Sequence, residues 1–291
     1  MSSGAAPWRP LPSLRPTAEL PGSKVAERYV EVDGVQLYSV EAGEGRPLVL
    51  LHPLGWDHRV WEREIHSLSA EYRVIACDAR GHGRSSKPPG PYSMTGFRDD
   101  FSAQLDALGV DKACIVGLSL GGMIAQYLAV QQPDRVSALM LVSTVCRLGP
   151  EVRQVMEERI EAGTKNGPLA AAQTVAKTLF STDLKEAEPE FLEEFYAWRL
   201  EMSLDPIFDS MRATFGLDIC ASLSALTMPC MVVAGEADGA TPPHVVAELA
   251  ERIPAAEIRS VAGCGHLVPL ERPAEFTAIL KEFLASHYPS T

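Results

Sequence analysis

Hydrophobic patterning divides the chain into short apolar runs separated by longer amphipathic stretches. The apolar runs cover residues 48–51, 73–77, 113–116, 138–142 and 230–234. Between them, hydrophobic side chains recur at helical spacing, as in the stretch that holds Trp61, Ile65 and Leu68. Buried strands that alternate with amphipathic helices are typical of α/β proteins, so the pattern predicts a mostly parallel central sheet flanked by helices.

Two alternating segments near the start predict a hairpin that precedes this sheet. Residues 29–32 and 35–40 alternate around Asp33-Gly34, a strong signal for a two-residue turn. Residues 1–24 are rich in Pro, Ser and Ala without a continuous apolar run, which predicts a flexible tail and not a secretory signal.

The strand–helix alternation stops after Arg147 and returns at Cys230. From about Pro150 to Leu217 only helical patterns occur. A helical insertion between two strands of one sheet predicts a cap over the carboxyl ends of the strands. The predicted organisation is a tail (1–24), a core domain (25–147 and 218–291) and a helical cap subdomain (148–217).

A glycine-rich turn carries the first candidate for chemistry. The segment Gly117-Leu118-Ser119-Leu120-Gly121-Gly122 lies between an apolar run and a helical stretch, which presents Ser119 at a sharp strand-to-helix turn. Glycines two positions either side of Ser119 would relieve crowding there. The first N–H groups of the following helix lack intrahelical partners and favour developing negative charge.

Two later loops supply partners for Ser119. Asp238 follows one apolar strand and His266 follows the last strand, at the same predicted edge of the sheet. A serine hydroxyl needs a base, and a carboxylate can hold the imidazole in the right tautomer, so we predict a catalytic triad of Ser119, Asp238 and His266. Glu236 competes with Asp238 for the acidic role, and Asp238 is preferred because it lies deeper in the loop.

Backbone donors for an oxyanion are predicted at Leu54 and Leu120. Pro53 precedes Leu54 and has no N–H to donate. We interpret His52 and His82 as structural residues that hold the loops near the site. Asp78 and Arg80 are interpreted as an internal ion pair.

Charge and cysteine content limit the function classes. The formal net charge of −12 argues against nucleic acid or an anionic membrane surface as partner. The chain has 6 cysteines but no C-x-x-C pair, which gives no support for zinc. We therefore predict buried free thiols in a reducing, cytoplasmic setting, with no metal and no cofactor. A homo-oligomer is compatible with the sequence.

These motifs together resemble the α/β-hydrolase superfamily, from about Ala26 to His287. The matching pieces are His52-Pro53-Leu54-Gly55, the segment from Asp78 to Ser85, the turn around Ser119, Asp238 with Pro242, and Gly265-His266. Within the superfamily the chain is most similar to β-ketoadipate enol-lactonases and small esterases. Members of that family commonly begin the oxyanion loop with His-Gly, so Pro53 is a departure.

The resemblance implies a hydrolase that cleaves a small carboxylic ester or lactone through an acyl-enzyme intermediate. Cofactor-free perhydrolases share the triad and stay an alternative, as does a slow-turnover ligand receptor on the same fold. The serine at position 119 argues against haloalkane dehalogenases, which attack with aspartate.

Candidate substrate-binding residues are Trp56, Trp198 and Arg147. Trp56 follows the predicted oxyanion loop, and Trp198 lies in the predicted cap. A substrate carboxylate would need a local cation because an unpaired buried charge is unfavourable. Arg147 and, in the cap, Arg199 or Arg212 are the candidates for that cation.

Overall fold

An eight-stranded sheet forms the centre of the molecule in a computed structural model that describes residues 25–290. The strands are β1 (Ala26–Val32), β2 (Val35–Ala42), β3 (Pro47–Leu51), β4 (Arg73–Asp78), β5 (Ala113–Leu118), β6 (Val136–Val142), β7 (Cys230–Gly235) and β8 (Glu257–Val261). Their order across the sheet is β1-β2-β4-β3-β5-β6-β7-β8, and every pair from β4 onward is parallel. The predicted mostly parallel sheet is confirmed. The predicted tail lies outside the described residues.

The first two strands form the predicted antiparallel hairpin. Val32 pairs with Val35, and the turn residues Asp33 and Gly34 have φ values of 48° and 78°. Positive φ at both central residues is what a tight hairpin turn between twisted strands requires, and Asp-Gly tolerates it. β2 then pairs antiparallel with β4, which joins the hairpin to the parallel part of the sheet.

Helices cover the sheet on both faces. Outside the cap they are α1 (Glu62–Leu68), α2 (Met94–Ala107), α3 (Leu120–Gln131), α9 (Pro243–Arg252), α10 (Val268–Glu271) and α11 (Pro273–His287). Successive side chains of each central strand point to opposite faces and enter two separate clusters of buried apolar residues. In β3, for example, Leu48 and Leu50 join one cluster while Val49 and Leu51 join the other. The alternating strands and helices thus bury a layer of apolar side chains on each side of the sheet.

Five α-helices lie between β6 and β7, and we call them the cap. They are α4 (Pro150–Asn166), α5 (Pro168–Leu179), α6 (Thr182–Ala187), α7 (Pro189–Leu200) and α8 (Leu204–Ala213). The two ends of the cap leave the core side by side, because Arg147 and Asp218 form an isolated β-bridge and Leu148 N–H donates to Leu217 O at 3.0 Å. The division into core and cap at residues 148 and 217 stays a prediction.

A disulfide corrects the prediction that all cysteines are free. Cys146 and Cys220 are bonded across a sequence separation of 74 residues, with their Cα atoms 5.0 Å apart. The bond lies beside the β-bridge, where both ends of the cap meet the core. Cys77, Cys114, Cys230 and Cys264 are buried free thiols, as expected. Disulfides persist mainly in oxidising compartments, so the bond counts against a reducing setting.

Among residues 25–290, no helix has the length and apolar character that crossing a bilayer requires. The cytoplasmic location stays a prediction.

Candidate active site

Ser119 occupies the turn that joins β5 to α3. Its φ and ψ are 53° and −112°, a backbone conformation that residues other than glycine rarely adopt. Two hydrogen bonds hold this conformation: Ser119 N–H donates to Val142 O at 2.9 Å, and Thr144 Oγ1 donates to Ser119 O at 2.7 Å. The neighbouring strand β6 and the residues that follow it therefore fix the main chain of Ser119.

The glycines around Ser119 relieve steric crowding at the turn, as their spacing predicts. A Cβ on Gly117 would lie 2.5 Å from Gly121 O, and a Cβ on Gly121 would lie 2.3 Å from Leu51 O. Both distances are shorter than van der Waals contact allows. The start of α3 can pack this closely against β3 and β5 only because these positions lack side chains.

Asp238 and His266 form a hydrogen-bonded pair beside this turn. Asp238 Oδ2 accepts from His266 Nδ1 at 2.8 Å, and it also accepts from Thr241 Oγ1 at 2.7 Å. The other oxygen, Oδ1, accepts from the N–H groups of Ala240 and Thr241 at 2.8 and 2.9 Å. Both side chains are buried, and four hydrogen-bond donors fix the carboxylate. The carboxylate binds Nδ1 of the imidazole and thereby orients the ring, which leaves Nε2 as the nitrogen without a bond to Asp238.

The competing acid, Glu236, lies elsewhere. Its side chain is exposed, whereas Asp238 is only 4% exposed. The loop after β7 turns the two side chains in different directions: Asp238 N–H donates to Gly235 O, and the carboxylate accepts the N–H groups that follow it. The structure brings Asp238, and not Glu236, to His266.

The loop that carries His266 also contacts the cap. His266 N–H donates to Leu179 O at the end of α5, at 2.8 Å, and Gly239 N–H donates to Thr178 O at 3.1 Å. Buried Glu271 accepts from the N–H groups of Gly265 and of a cap residue, Ser181, and burial raises the pKa of this carboxyl. The position of the imidazole therefore depends on α5.

The predicted oxyanion donors lie in the two loops next to Ser119. Leu120 begins α3, so its N–H has no carbonyl one turn earlier to bond. Leu54 lines the same cavity as Ser119. The loop of Leu54 is tied down by His52, whose Nδ1 donates to Pro53 O at 2.8 Å while Nε2 accepts from Ala79 N–H at 3.0 Å. Burial lowers the pKa of His52, which keeps the ring neutral in this structural role.

A narrow cavity of about 20 Å³ joins these groups beneath the cap. Its lining includes Ser119 and His266 from the core, Leu54 from the loop after β3, and Met156 and Met211 from the cap. The space holds about one water molecule, so a larger ligand needs the cavity walls to adjust. Flexible methionine side chains suit that adjustment.

Residues 46–273, more than half of the chain, match the family described as alpha/beta hydrolase fold. The chain belongs to the α/β-hydrolase family. This hydrolase is 29% identical over 251 residues to 3-oxoadipate enol-lactonase 2 of Acinetobacter baylyi, which covers 84% of this chain and 93% of the relative. The predicted resemblance is confirmed.

Two solved structures of hydrolases are similar over nearly the whole described fold. Est816, described as an N-acyl homoserine lactone degrading enzyme, has 35% identity and a TM-score of 0.79, and the match covers 88% of this chain and 100% of that one. The enol-lactonase from Burkholderia xenovorans LB400 has 29% identity and a TM-score of 0.82, with 89% of this chain and 100% of the other covered. The names of these relatives include both an enol-lactonase and an acyl homoserine lactonase.

Three predicted substrate-binding residues of the hydrolase lie outside the cavity that contains Ser119. Arg147 is half exposed and forms an ion pair with Glu248 at 2.7 Å, beside a different surface hollow, so the structure does not bring it to Ser119. Trp56 and Trp198 contact each other with ring centroids 4.9 Å apart. Neither lines the cavity: Trp56 is buried, and Trp198 lines a separate, wider groove.

Two arginines do line the cavity, and one of them was absent from the sequence-based candidates. Arg199 of α7 was a candidate cation, whereas Arg159 of α4 was not. The signal for Arg159 is its register: with Val152, Met156 and Gly163 it occupies the buried stripe of α4. An arginine at a position where helical spacing predicts an apolar residue can be recognised in the sequence, and it indicates a buried charge. Arg212 is exposed and pairs with Asp209.

A separate cluster beside β4 is explained by structural bonds. Asp57, His58 and Asp78 place ligand-type atoms within 4.8 Å of one another. Asp78, however, accepts from the main-chain N–H and Nδ1 of His58 at 2.7 and 2.9 Å, and Arg59 pairs with Asp57. The predicted ion pair of Asp78 with Arg80 is wrong, because Arg80 pairs with Asp100 of α2. A wide groove of about 1230 Å³ near this cluster contains no residue of the predicted triad.

Proposed function

We propose that this hydrolase cleaves small carboxylic esters or lactones, with Ser119 as nucleophile, His266 as general base and acid, and Asp238 as the group that orients His266. The observation that carries the proposal is the 2.8 Å bond between Asp238 Oδ2 and His266 Nδ1, in a chain where His266 and Ser119 line one cavity. An imidazole oriented through Nδ1 directs Nε2 toward a nucleophile.

In the first half of the reaction, Ser119 Oγ attacks the substrate carbonyl carbon while His266 Nε2 takes the hydroxyl proton. Negative charge develops on the carbonyl oxygen, where the N–H groups of Leu54 and Leu120 donate. Collapse of the tetrahedral intermediate breaks the ester bond, and His266 returns the proton to the departing alkoxide. For a lactone, the alcohol formed stays on the acyl chain.

In the second half, water attacks the acyl-enzyme. His266 takes a proton from water, the same two N–H groups stabilise the second oxyanion, and Ser119 leaves with the proton from His266. The Asp238 carboxylate stabilises the imidazolium that forms in each half. Every step uses side chains and backbone groups of the chain together with water.

The names of the relatives support an ester or lactone as the substrate class. One relative is called an enol-lactonase and another a lactone-degrading enzyme, and both act by name on cyclic esters. Peracid formation and binding without turnover are the alternatives that the experiment separates.

The proposal is tested with a short-chain 4-nitrophenyl ester and with a γ- or δ-lactone, with purified parent and variants. Ser119→Ala is expected to lose on the order of 10⁴-fold in kcat/KM, since triad members act as a unit. Ser222→Ala, which removes an exposed serine, serves as the matched control and keeps parental activity. Tight binding of the ester without turnover in the parent, or Ser119→Ala with activity close to the parent, would refute the proposal.

A further inference from the structure

We propose that Arg199 of α7 is a positioning residue for the oxyanion turn, a name we give to residues 53–56, which include the predicted donor Leu54. The inference rests on the proposed function, in which the Leu54 N–H donates to the substrate oxyanion. It adds a side chain of the cap that belongs neither to the triad nor to the two donors. Arg199 acts through the main chain of the turn, so its role requires no contact with the substrate.

The oxyanion turn is a tight turn of four residues. Trp56 N–H donates to Pro53 O at 3.2 Å, and Gly55 has a φ of 72°. A bond from the fourth residue to the first, with positive φ at the third, is typical of a type II turn, in which glycine suits the third position. The bond that closes the turn uses the N–H of Trp56. The Leu54 N–H, at the second position, is therefore left to point out of the turn.

The core and the cap each bind one carbonyl oxygen of this turn. From the core, His52 Nδ1 donates to Pro53 O at 2.8 Å, and from the cap, Arg199 Nη1 donates to Gly55 O. Burial lowers the pKa of Arg199 to about 10, so the guanidinium is charged at neutral pH. Because charge-assisted hydrogen bonds are stronger than bonds between neutral groups, the cap holds the turn at least as firmly as the core does.

Two planar peptide groups connect Arg199 to the Leu54 N–H. Gly55 O and the Trp56 N–H belong to one peptide group, and Pro53 O and the Leu54 N–H belong to the other. Because each group is planar, the bond to Gly55 O fixes the direction of the Trp56 N–H, and the bond that closes the turn passes this constraint to the Leu54 N–H. A cation at the start of such a chain also polarises every bond in it, which strengthens the last donor.

The cap holds the guanidinium firmly against the turn. Arg199 is 4% exposed and follows Phe195 in the buried stripe of α7. Its Cζ lies 5.8 Å from the ring centroids of both Phe195 and Trp198, within the range of cation–π attraction. Trp56 in turn stacks on Phe195, with ring centroids 6.0 Å apart. A Cβ on Gly55 would overlap Arg199 Nη1, so this glycine provides the space for the bond as well as the positive φ.

Steady-state kinetics with 4-nitrophenyl butyrate give the first test. Removal of a whole oxyanion donor lowers kcat by about 10²- to 10³-fold, and Arg199→Met misdirects a donor without removing it. We expect a loss of about 10- to 100-fold in kcat with KM within about threefold of the parent. Arg199→Lys, which can still donate to Gly55 O, should recover part of the loss. Arg212→Met, an exposed arginine of the same cap, serves as the matched control and keeps the parental kcat.

An alkyl trifluoromethyl ketone reports on the oxyanion itself. Ser119 Oγ adds to its carbonyl carbon, the carbonyl electron pair moves to the oxygen, and His266 takes the hydroxyl proton, so the adduct carries an oxyanion beside Leu54 and Leu120. In Arg199→Met the Ki of the ketone should rise about as much as kcat/KM falls. The Ki of the corresponding secondary alcohol, which forms no adduct, should stay within about threefold of the parent.

Gly55→Ala tests the same bond from the core side. The added methyl group needs the space of the guanidinium, so this variant should lower kcat in the parent and lower it much less when Arg199 is already Met. Losses that simply multiply would show that the two residues act independently, contrary to the proposal. If Arg199→Met does not fold, the ratio of the ketone Ki to the alcohol Ki in Gly55→Ala decides the question, because a displaced guanidinium should raise that ratio.

The remaining outcomes separate this inference from the proposed function. Parental kcat in Arg199→Met, or equal losses of ketone and alcohol binding together with a lower melting temperature, would overturn the positioning role and leave the serine hydrolase intact. Unchanged activity in Ser119→Ala would instead overturn the proposed function.

Discussion

The core and the cap both bury charged or titratable side chains, but they treat them differently. In the core, burial raises the pKa of Glu64 to about 8 and lowers that of His82 to about 3, so both side chains are neutral near neutral pH. In the cap, Arg159 and Arg199 keep their charge, because even lowered pKa values of about 10 leave them protonated. These two core side chains are neutral, whereas the cap retains two cations.

The two regions therefore differ in whether the buried group is compensated within the fold. A neutral buried group needs only its hydrogen bonds: Glu64 Oε1, for example, accepts from Thr277 Oγ1 at 2.9 Å. A retained charge is costly unless a partner compensates it, and the cap offers none among the described residues for its two buried arginines. Asp238 is an exception in the core, because it keeps four hydrogen bonds and belongs to the predicted triad.

The largest expected effect concerns that exception. Asp238→Asn should reduce kcat/KM for a neutral ester on the order of 10⁴-fold, because an amide holds the imidazole in the wrong tautomer. Glu236→Gln, two positions earlier and exposed, should stay within about twofold of the parent. Steady-state kinetics of both variants decide the comparison. Equal losses, or the reverse ranking, would move the orienting role away from Asp238.

The next effect concerns the junction between the two regions. Replacing the disulfide in Cys146→Ser/Cys220→Ser should lower the free energy of unfolding by about 2–4 kcal/mol, since the bond closes a long loop that contains the whole cap. Urea unfolding with and without dithiothreitol measures it. The reductant should destabilise the parent and leave the double variant unchanged. A parent insensitive to reductant would show that the two thiols are not bonded in solution.

A smaller effect tests neutralisation in the core. Between about pH 4.5 and 8 the unfolded chain ionises Glu64 while the folded protein keeps it protonated, so this residue makes stability fall as pH rises through that window. Glu64→Gln should remove this fall and be more stable than the parent above about pH 8, by at most about 5 kcal/mol.

Urea unfolding across that pH range measures the effect of Glu64→Gln, with the exposed Glu71→Gln as the matched control. A pH dependence of the Glu64→Gln variant identical to that of the parent would show that Glu64 is ionised in the fold, contrary to the account.

Local sequence signals were enough for the features that depend on the backbone. The hairpin follows from Asp33-Gly34, the strained turn from the glycines around Ser119, and the sheet from apolar runs that alternate with helices. Each of these needs only the conformational preferences of neighbouring residues. The position of the acidic and imidazole loops at one sheet edge then follows from parallel strand direction.

The features that the sequence did not predict depend on how the cap packs. Arg159 is buried only because α4, α5 and α8 pack together, and its neighbours Glu157 and Glu158 give it the appearance of a solvent-exposed residue. The partner of Cys146 is 74 residues away, a distance over which spacing carries no information. Arg147 appeared suitable because it follows β6, but its side chain turns outward to Glu248.

The central claim, that Ser119 is the nucleophile, is tested most directly by trapping the acyl-enzyme. The parent is mixed with a 4-nitrophenyl ester or a fluorophosphonate, quenched in acid and mapped by peptide mass spectrometry. The account predicts one adduct, on the peptide that contains Ser119, and none in Ser119→Ala. Ester turnover by the parent with no adduct at Ser119, or with the adduct on another residue, would contradict it.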